Sequence, residues 1–149
     1  MPTRRSVLGW ILLAGASGAT ACRRDAHGPG DRCAFCGMRI PAGSHWAAGA
    51  TGEHGRPVVF DTPGCLFRYR LSAAGRQARE PWVTEYYGPA GPRTPATTVR
   101  YVVGSDVVGP MGPDLIPVDP GRIEPFRRDH HARAVYTFES VTEEILRAL

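Results

Sequence analysis

Twice along this chain, two β-branched or aromatic-rich segments are followed by a helix-forming stretch and then by another strand. In the first round, "HWAAGAT" (45–51) and "RPVVFDT" (56–62) read as strands joined by the hairpin-like loop "GEHG". "TPGCLFRYRLSAAG" (62–75) reads as a helix, with Thr62 as N-cap, Pro63 at the first helical position and Gly75 closing it. "PWVTEYY" (81–87) is the next strand. In the second round, "TVRYVVG" (98–104) and "LIPV" (115–118) are strands, and "DPGRIEPFRRDHH" (119–131) is helical in part, weakened by Gly121 and Pro125. "AVYTF" (134–138) is a strand, and "SVTEEILRAL" (140–149) is a helix with Ser140 and Glu143 as a capping box. "GPAGPRTPAT" (88–97) and "SDVVGPMGPD" (105–114) are loops, because Gly and Pro punctuate them throughout. This order predicts an α+β fold: one small domain of two ββαβ-like units.

The N-terminus has a different character. Arg4 and Arg5 precede an apolar run from Val7 to Ala16, and small residues lead to Cys22. A positive start, a short apolar core and a small-residue cleavage region make an export signal over residues 1–21. The run is too short to span a bilayer, which takes roughly 20 apolar residues. "TRRSVL" resembles a twin-arginine signal, and "ATAC" resembles a lipoprotein cleavage box with Cys22 as the lipidated residue. Residues 22–32 then form a polar, Gly/Pro-containing flexible tether, and the folded domain occupies 33–149. Losing Arg4 and Arg5 lowers the net charge from +4 to +2. No basic run interleaved with aromatics is present, which argues against a nucleic-acid partner. The expected location is extracytoplasmic, in the periplasm, with a lipid anchor holding the protein to the membrane.

The chemistry is concentrated in "CAFCGM" (33–38), in a chain with only 4 Cys and 3 Met. With Cys22 lipidated, Cys33, Cys36 and Cys65 remain, an odd number that a pure disulfide framework would not use. Oxidising compartments favour disulfides, so free thiols there need a reason such as a bound metal. The CxxC is also compatible with a redox dithiol, or with half of a zinc site completed by Cys65 and His45 or His54. The redox reading wants a helix immediately after the CxxC, and Pro41 and Gly43 leave little room for one. Met38 follows Cys36 closely, and Met111 sits in "GPMGP", a turn suited to presenting a thioether. Thiolates and thioethers together are soft donors that select copper(I). Cys65 falls in the first turn of its helix, where the helix terminus favours a thiolate. His45, His54, His130 and His131 are reserve ligands, and Asp61 is expected to cap the helix or, as the alternative, to orient a ligand.

"CAFCGMRI", "VVFDTPGCLFRY", "VRYVVGSDVVGPMGPDLIPV" and "AVYTFESV" together resemble the nitrous-oxide reductase accessory protein family, NosL. The resemblance covers most of residues 33–140. It implies an α+β fold of repeated ββαβ units in a monomeric, exported, often lipid-anchored copper(I)-binding protein. It implies delivery of copper for maturation of nitrous-oxide reductase, to an ABC-type transporter complex or to the reductase itself. Cys33, Cys36 and Met38 match the family's CxxCGM signature, Cys65 falls where a Cys or Met is placed, and Met111 matches the Met of its turn. The chain is thus expected to carry copper(I) rather than to catalyse a reaction. A thiol–disulfide oxidoreductase and a zinc-clasped binding module are the alternatives.

Overall fold

The computed structural model describes residues 32–89 and 93–149. The expected signal, Cys22 and the tether up to residue 31 lie outside the described residues. In the first unit, β1 (Ala48–Thr51) pairs antiparallel with β2 (Pro57–Phe60), α1 (Pro63–Leu71) follows, and β3 (Arg79–Val83) returns to the other side of β1. The two-residue β4 (Thr94–Pro95) extends the sheet, giving the order β2-β1-β3-β4. In the second unit, β5 (Arg100–Val103) pairs with β6 (Ile116–Val118), α2 (Ile123–His130) follows, and β7 (Ala134–Tyr136) lies against the other edge of β5. The order β6-β5-β7 repeats the first unit's arrangement, with the unit's first strand in the centre. A short α3 (Glu143–Arg147) packs on α1. The expected pair of ββαβ units is therefore the architecture. Among the described residues, no helix is long and apolar enough to cross a membrane.

Strand periodicity explains how the two units join. Side chains alternate across a strand, and along β5 Val99, Tyr101 and Val103 face the main core while Val102 faces a second cluster. Phe67 of α1 sits edge-on to Tyr101 at 4.7 Å between ring centroids and tilted against Phe138 at 5.1 Å. One core thus takes side chains from both units. The second cluster packs Phe126 of α2 against Val102, Ile116 and Val118.

Local chemistry sets the boundaries, and some differ from expectation. Thr62 caps α1 and Pro63 opens it, as the sequence indicates. The helix stops at Leu71, however, because Ser72 turns extended and its hydroxyl donates to the Tyr69 carbonyl at 2.6 Å. Gly75 lies beyond the helix, pressed so closely on the Tyr69 carbonyl that a Cβ would not fit. Pro125 is tolerated because it falls in the first turn of α2, where a backbone N–H has no partner to lose. The cap of α3 is Thr142, whose hydroxyl accepts from Ile145 N, and not Ser140, which closes a turn with Thr137.

A candidate metal centre built from three thiols

"CAFCGM" forms a tight turn. Cys33 N donates to Met38 O at 2.8 Å, Gly37 N donates to Cys33 O at 2.9 Å, and Gly37 supplies the left-handed backbone (φ 76°) that the turn requires. An isolated bridge between Arg32 and Arg39 closes its base. Ala34 N donates to Val59 O at 2.9 Å, which fastens the turn to β2. No helix follows the CxxC, so the helix-terminus premise of the redox-dithiol reading is not met.

The turn brings Cys33 and Cys36 to the place where β2 ends and α1 begins. There the ligand atoms of Cys33, Cys36, Asp61 and Cys65 all lie within 4.8 Å of one another. Cys33, Cys65 and Asp61 are each 3% exposed, whereas Cys36 is at the surface. Cys65 is the third residue of α1, and its N–H donates to the Thr62 hydroxyl at 3.3 Å. The first half of α1, Pro63 to Phe67, is buried, so Cys65 meets the cluster from within the protein interior.

The three thiols are not equivalent. A hydrogen bond from the Cys65 thiol lowers Cys33 from the ordinary thiol value of 9.0 to about 6, against the opposing effect of burial. Backbone N–H groups of Cys36, Asp61 and Phe35 add to this nest around the Cys33 sulfur. Cys65 is pushed up by the same bond to Cys33, then by burial and by the negative charges of Cys33 and Asp61. Burial also raises Cys36, with the proton held further by its bond to Asp61. The thiolate expected at the helix terminus is therefore on Cys33, because Cys65 is buried beside two negative groups.

The sign of these shifts sets a pH profile for the reduced, metal-free protein. Between about 6 and 9.0 the unfolded chain holds a proton on Cys33 that the folded chain has lost, so stability rises with pH across that window. Above 9.0 the unfolded chain loses protons that folded Cys36 and Cys65 retain, so stability falls again. Urea unfolding with chelator and reductant present is expected to show the rising limb in wild type and to lose it in Cys33→Ser.

The thioethers are placed differently. Met38 is 48% exposed beside the CxxC turn, and Met111 is 59% exposed on a tight turn closed by hydrogen bonds between Gly109 and Gly112. Asp114, just after that turn, accepts from Gly64 N and from Leu115 N, each at 2.7 Å. The Thr62 hydroxyl also donates to it. The Met111 turn is thereby tied to the first turn of α1, directly beside Cys65. The Trp46 ring lies beside Gly109 of this turn. None of the reserve histidines joins the thiols. His54 sits on the β1–β2 turn beside Glu53, and His130 is held between Asp106 (2.9 Å) and the Tyr86 hydroxyl (3.2 Å). Asp61, expected to cap α1, does not: Thr62 does, and Asp61 turns into the cluster, where its Oδ1 accepts from Cys36 Sγ at 3.4 Å. The only sequence signal for this was its position at the strand end, four residues before Cys65.

Two ββαβ units sharing one core, with three thiols and a carboxylate gathered at a strand–helix junction, define a small α+β protein with a thiol-rich metal-binding constellation. The NosL family model matches residues 26–146. The chain belongs to the NosL family. Among solved structures, the crystal structure of the copper chaperone NosL from Shewanella denitrificans has the same fold, with a TM-score of 0.64 at 20% identity over 80% of this chain and 92% of that one. No curated protein matches.

Proposed function

We propose that this chain is an exported, lipid-tethered carrier of copper(I) that delivers the ion for maturation of nitrous-oxide reductase. The observation that carries the reading is the convergence of Cys33, Cys36 and Cys65 within 4.8 Å, with one of the three at the surface. Soft sulfur donors select copper(I) over harder ions. The family and the copper chaperone that shares the fold support the same cargo. Cys33, Cys36, Met38, Cys65 and Met111 are the ligand candidates. The buried pair, Cys33 and Cys65, is the fixed floor of the site. Cys36 is its exposed mouth, and in this reading the exposed thioethers of Met38 and Met111 complete it, so that an acceptor's sulfur enters before a donor's leaves. In this reading residues 1–21 are an export signal and Cys22 is lipidated, so the carrier works in the periplasm at the membrane; its monomeric state comes from the family resemblance. The recipient, an ABC-type maturation complex or the reductase itself, comes from the family resemblance. The carrier reading includes no catalytic step.

The test is an anaerobic copper(I) titration against a competing chelator. Wild type is expected to bind one ion tightly, and Met111→Ala to bind about tenfold more weakly, equivalent to about 1.4 kcal/mol. Equal affinity in the variant would count against a mixed Cys/Met site.

A further inference from the structure

We propose that the cavity between the two units, walled by Trp46, Tyr86 and Tyr87, is a binding site for a quaternary ammonium group. Its volume is about 450 Å³, within the roughly 300–1,000 Å³ of small-molecule sites. Trp46 reaches it from just before β1 and the two tyrosines from just after β3. Ile116 and Pro117 of β6 and His130 at the end of α2 bring in the second unit. None of the thiols lines it, so the inference is independent of the copper(I) reading.

Three features select the ligand. The first is aromatic. The Tyr86 ring stands edge-on to Tyr87, with centroids 4.9 Å apart and planes at 84°, so the two rings make a corner, and Trp46 adds a third aromatic wall. Aromatic faces attract a cation through the ring quadrupole, and cages of such rings hold quaternary ammonium ions. Arg122 lies over the Tyr87 ring at 5.0 Å but does not line the cavity. The second feature is charge: among the described residues, the lining includes Asp129 and no lysine or arginine. Arg128 Nε meets Asp129 Oδ1 at 3.4 Å, but both side chains are exposed, and a surface pair of that kind holds weakly. The third is the state of the hydroxyls. Thr84 donates to Ala47 O at 2.9 Å, and the Tyr86 hydroxyl meets His130 Nε2 at 3.2 Å. Asp106 Oδ1 holds the other nitrogen of that imidazole at 2.9 Å, which fixes the tyrosine in place. A primary ammonium or a guanidinium would bring N–H donors to walls whose hydroxyls are already engaged, whereas a quaternary nitrogen brings none.

Choline chloride, titrated into the full chain at constant ionic strength, tests this by NMR at the Trp46 indole N–H and the Tyr86 ring. Saturable shifts are expected at both. The neutral analogue 3,3-dimethylbutan-1-ol, in which carbon replaces the nitrogen, should bind about tenfold more weakly, because it keeps the shape and loses the charge. Tyr87→Leu should weaken choline by about the same factor, and Asp129→Asn by less. Phosphatidylcholine vesicles, compared with phosphatidylglycerol vesicles at the same signals, distinguish the sources. Shifts with choline alone assign a soluble cation, shifts with the phosphatidylcholine vesicles alone assign a lipid headgroup, and either supports the site. Silence with both overturns the proposal. Equal affinity for choline and its neutral analogue also overturns it, by showing a merely apolar cavity, and that comparison decides on wild type alone should a variant fail to fold.

Discussion

Cys33→Ser is expected to lower copper(I) affinity by more than ~100-fold, since losing even an outer partner of a metal ligand costs roughly 10–100-fold. The chelator competition that measures wild type measures this too. The size of the effect follows from what the site does to this thiol before any ion arrives. Hydrogen bonds from Cys65 and from the surrounding backbone N–H groups lower it to about 6, which favours the thiolate form that a metal ion takes. Its position is fixed, because the turn is closed by Met38 O and pinned to β2 through Ala34. A serine hydroxyl fits the same space but stays protonated and hard. Cys36→Ser should cost less, because Cys36 lies at the surface and keeps its proton more strongly than an ordinary thiol. An equal loss in the two variants would mean that burial and thiolate character do not rank the ligands.

Asp114→Ala is expected to destabilise the fold by about 3 kcal/mol and to weaken copper(I) binding to the level of Met111→Ala. Gly64 N and Leu115 N would lose a charged acceptor at 2.7 Å, and each buried donor left unsatisfied costs about 1–3 kcal/mol. Burial raises the Asp114 carboxyl above its ordinary value, opposed by the hydrogen bonds from Thr62, Leu115 and Gly64 and by the charge of Arg68. The carboxylate is thus costly to bury, and its removal is costlier because its partners stay behind. Thermal unfolding should show a drop of roughly 10 °C. Full stability in Asp114→Ala would show that the loop is not held by this contact. Full stability loss with unchanged copper affinity would separate the anchor from the site.

The repeated element order was legible because strand and helix periods differ and because Thr62–Pro63 marks a helix start in any context. The three thiols were legible as a group from their odd number and the CxxC spacing. What escaped the sequence was decided by contacts between distant segments. Ser140 and Thr142 both offer a hydroxyl near the start of α3, and only the Thr137–Ser140 turn determines which one caps. Gly75 reads as a helix stop, yet its role is to let the backbone approach the Tyr69 carbonyl. Asp61 and Thr62 are adjacent oxygen-bearing side chains, and the arrival of the CxxC turn draws the first into the cluster. The Asp114–Gly64 bond spans fifty positions, and no local pattern announces it.

Phe67, Tyr101 and Phe138 make one interior out of two topological copies. Thermodynamic linkage therefore reaches well past the sulfurs: an ion gripped by the thiols of the first copy raises the unfolding free energy of the second as well. On the proposed carrier function, the laden chain is the harder one to open, and proteases meet their best substrate in the chain that has just given its cargo away.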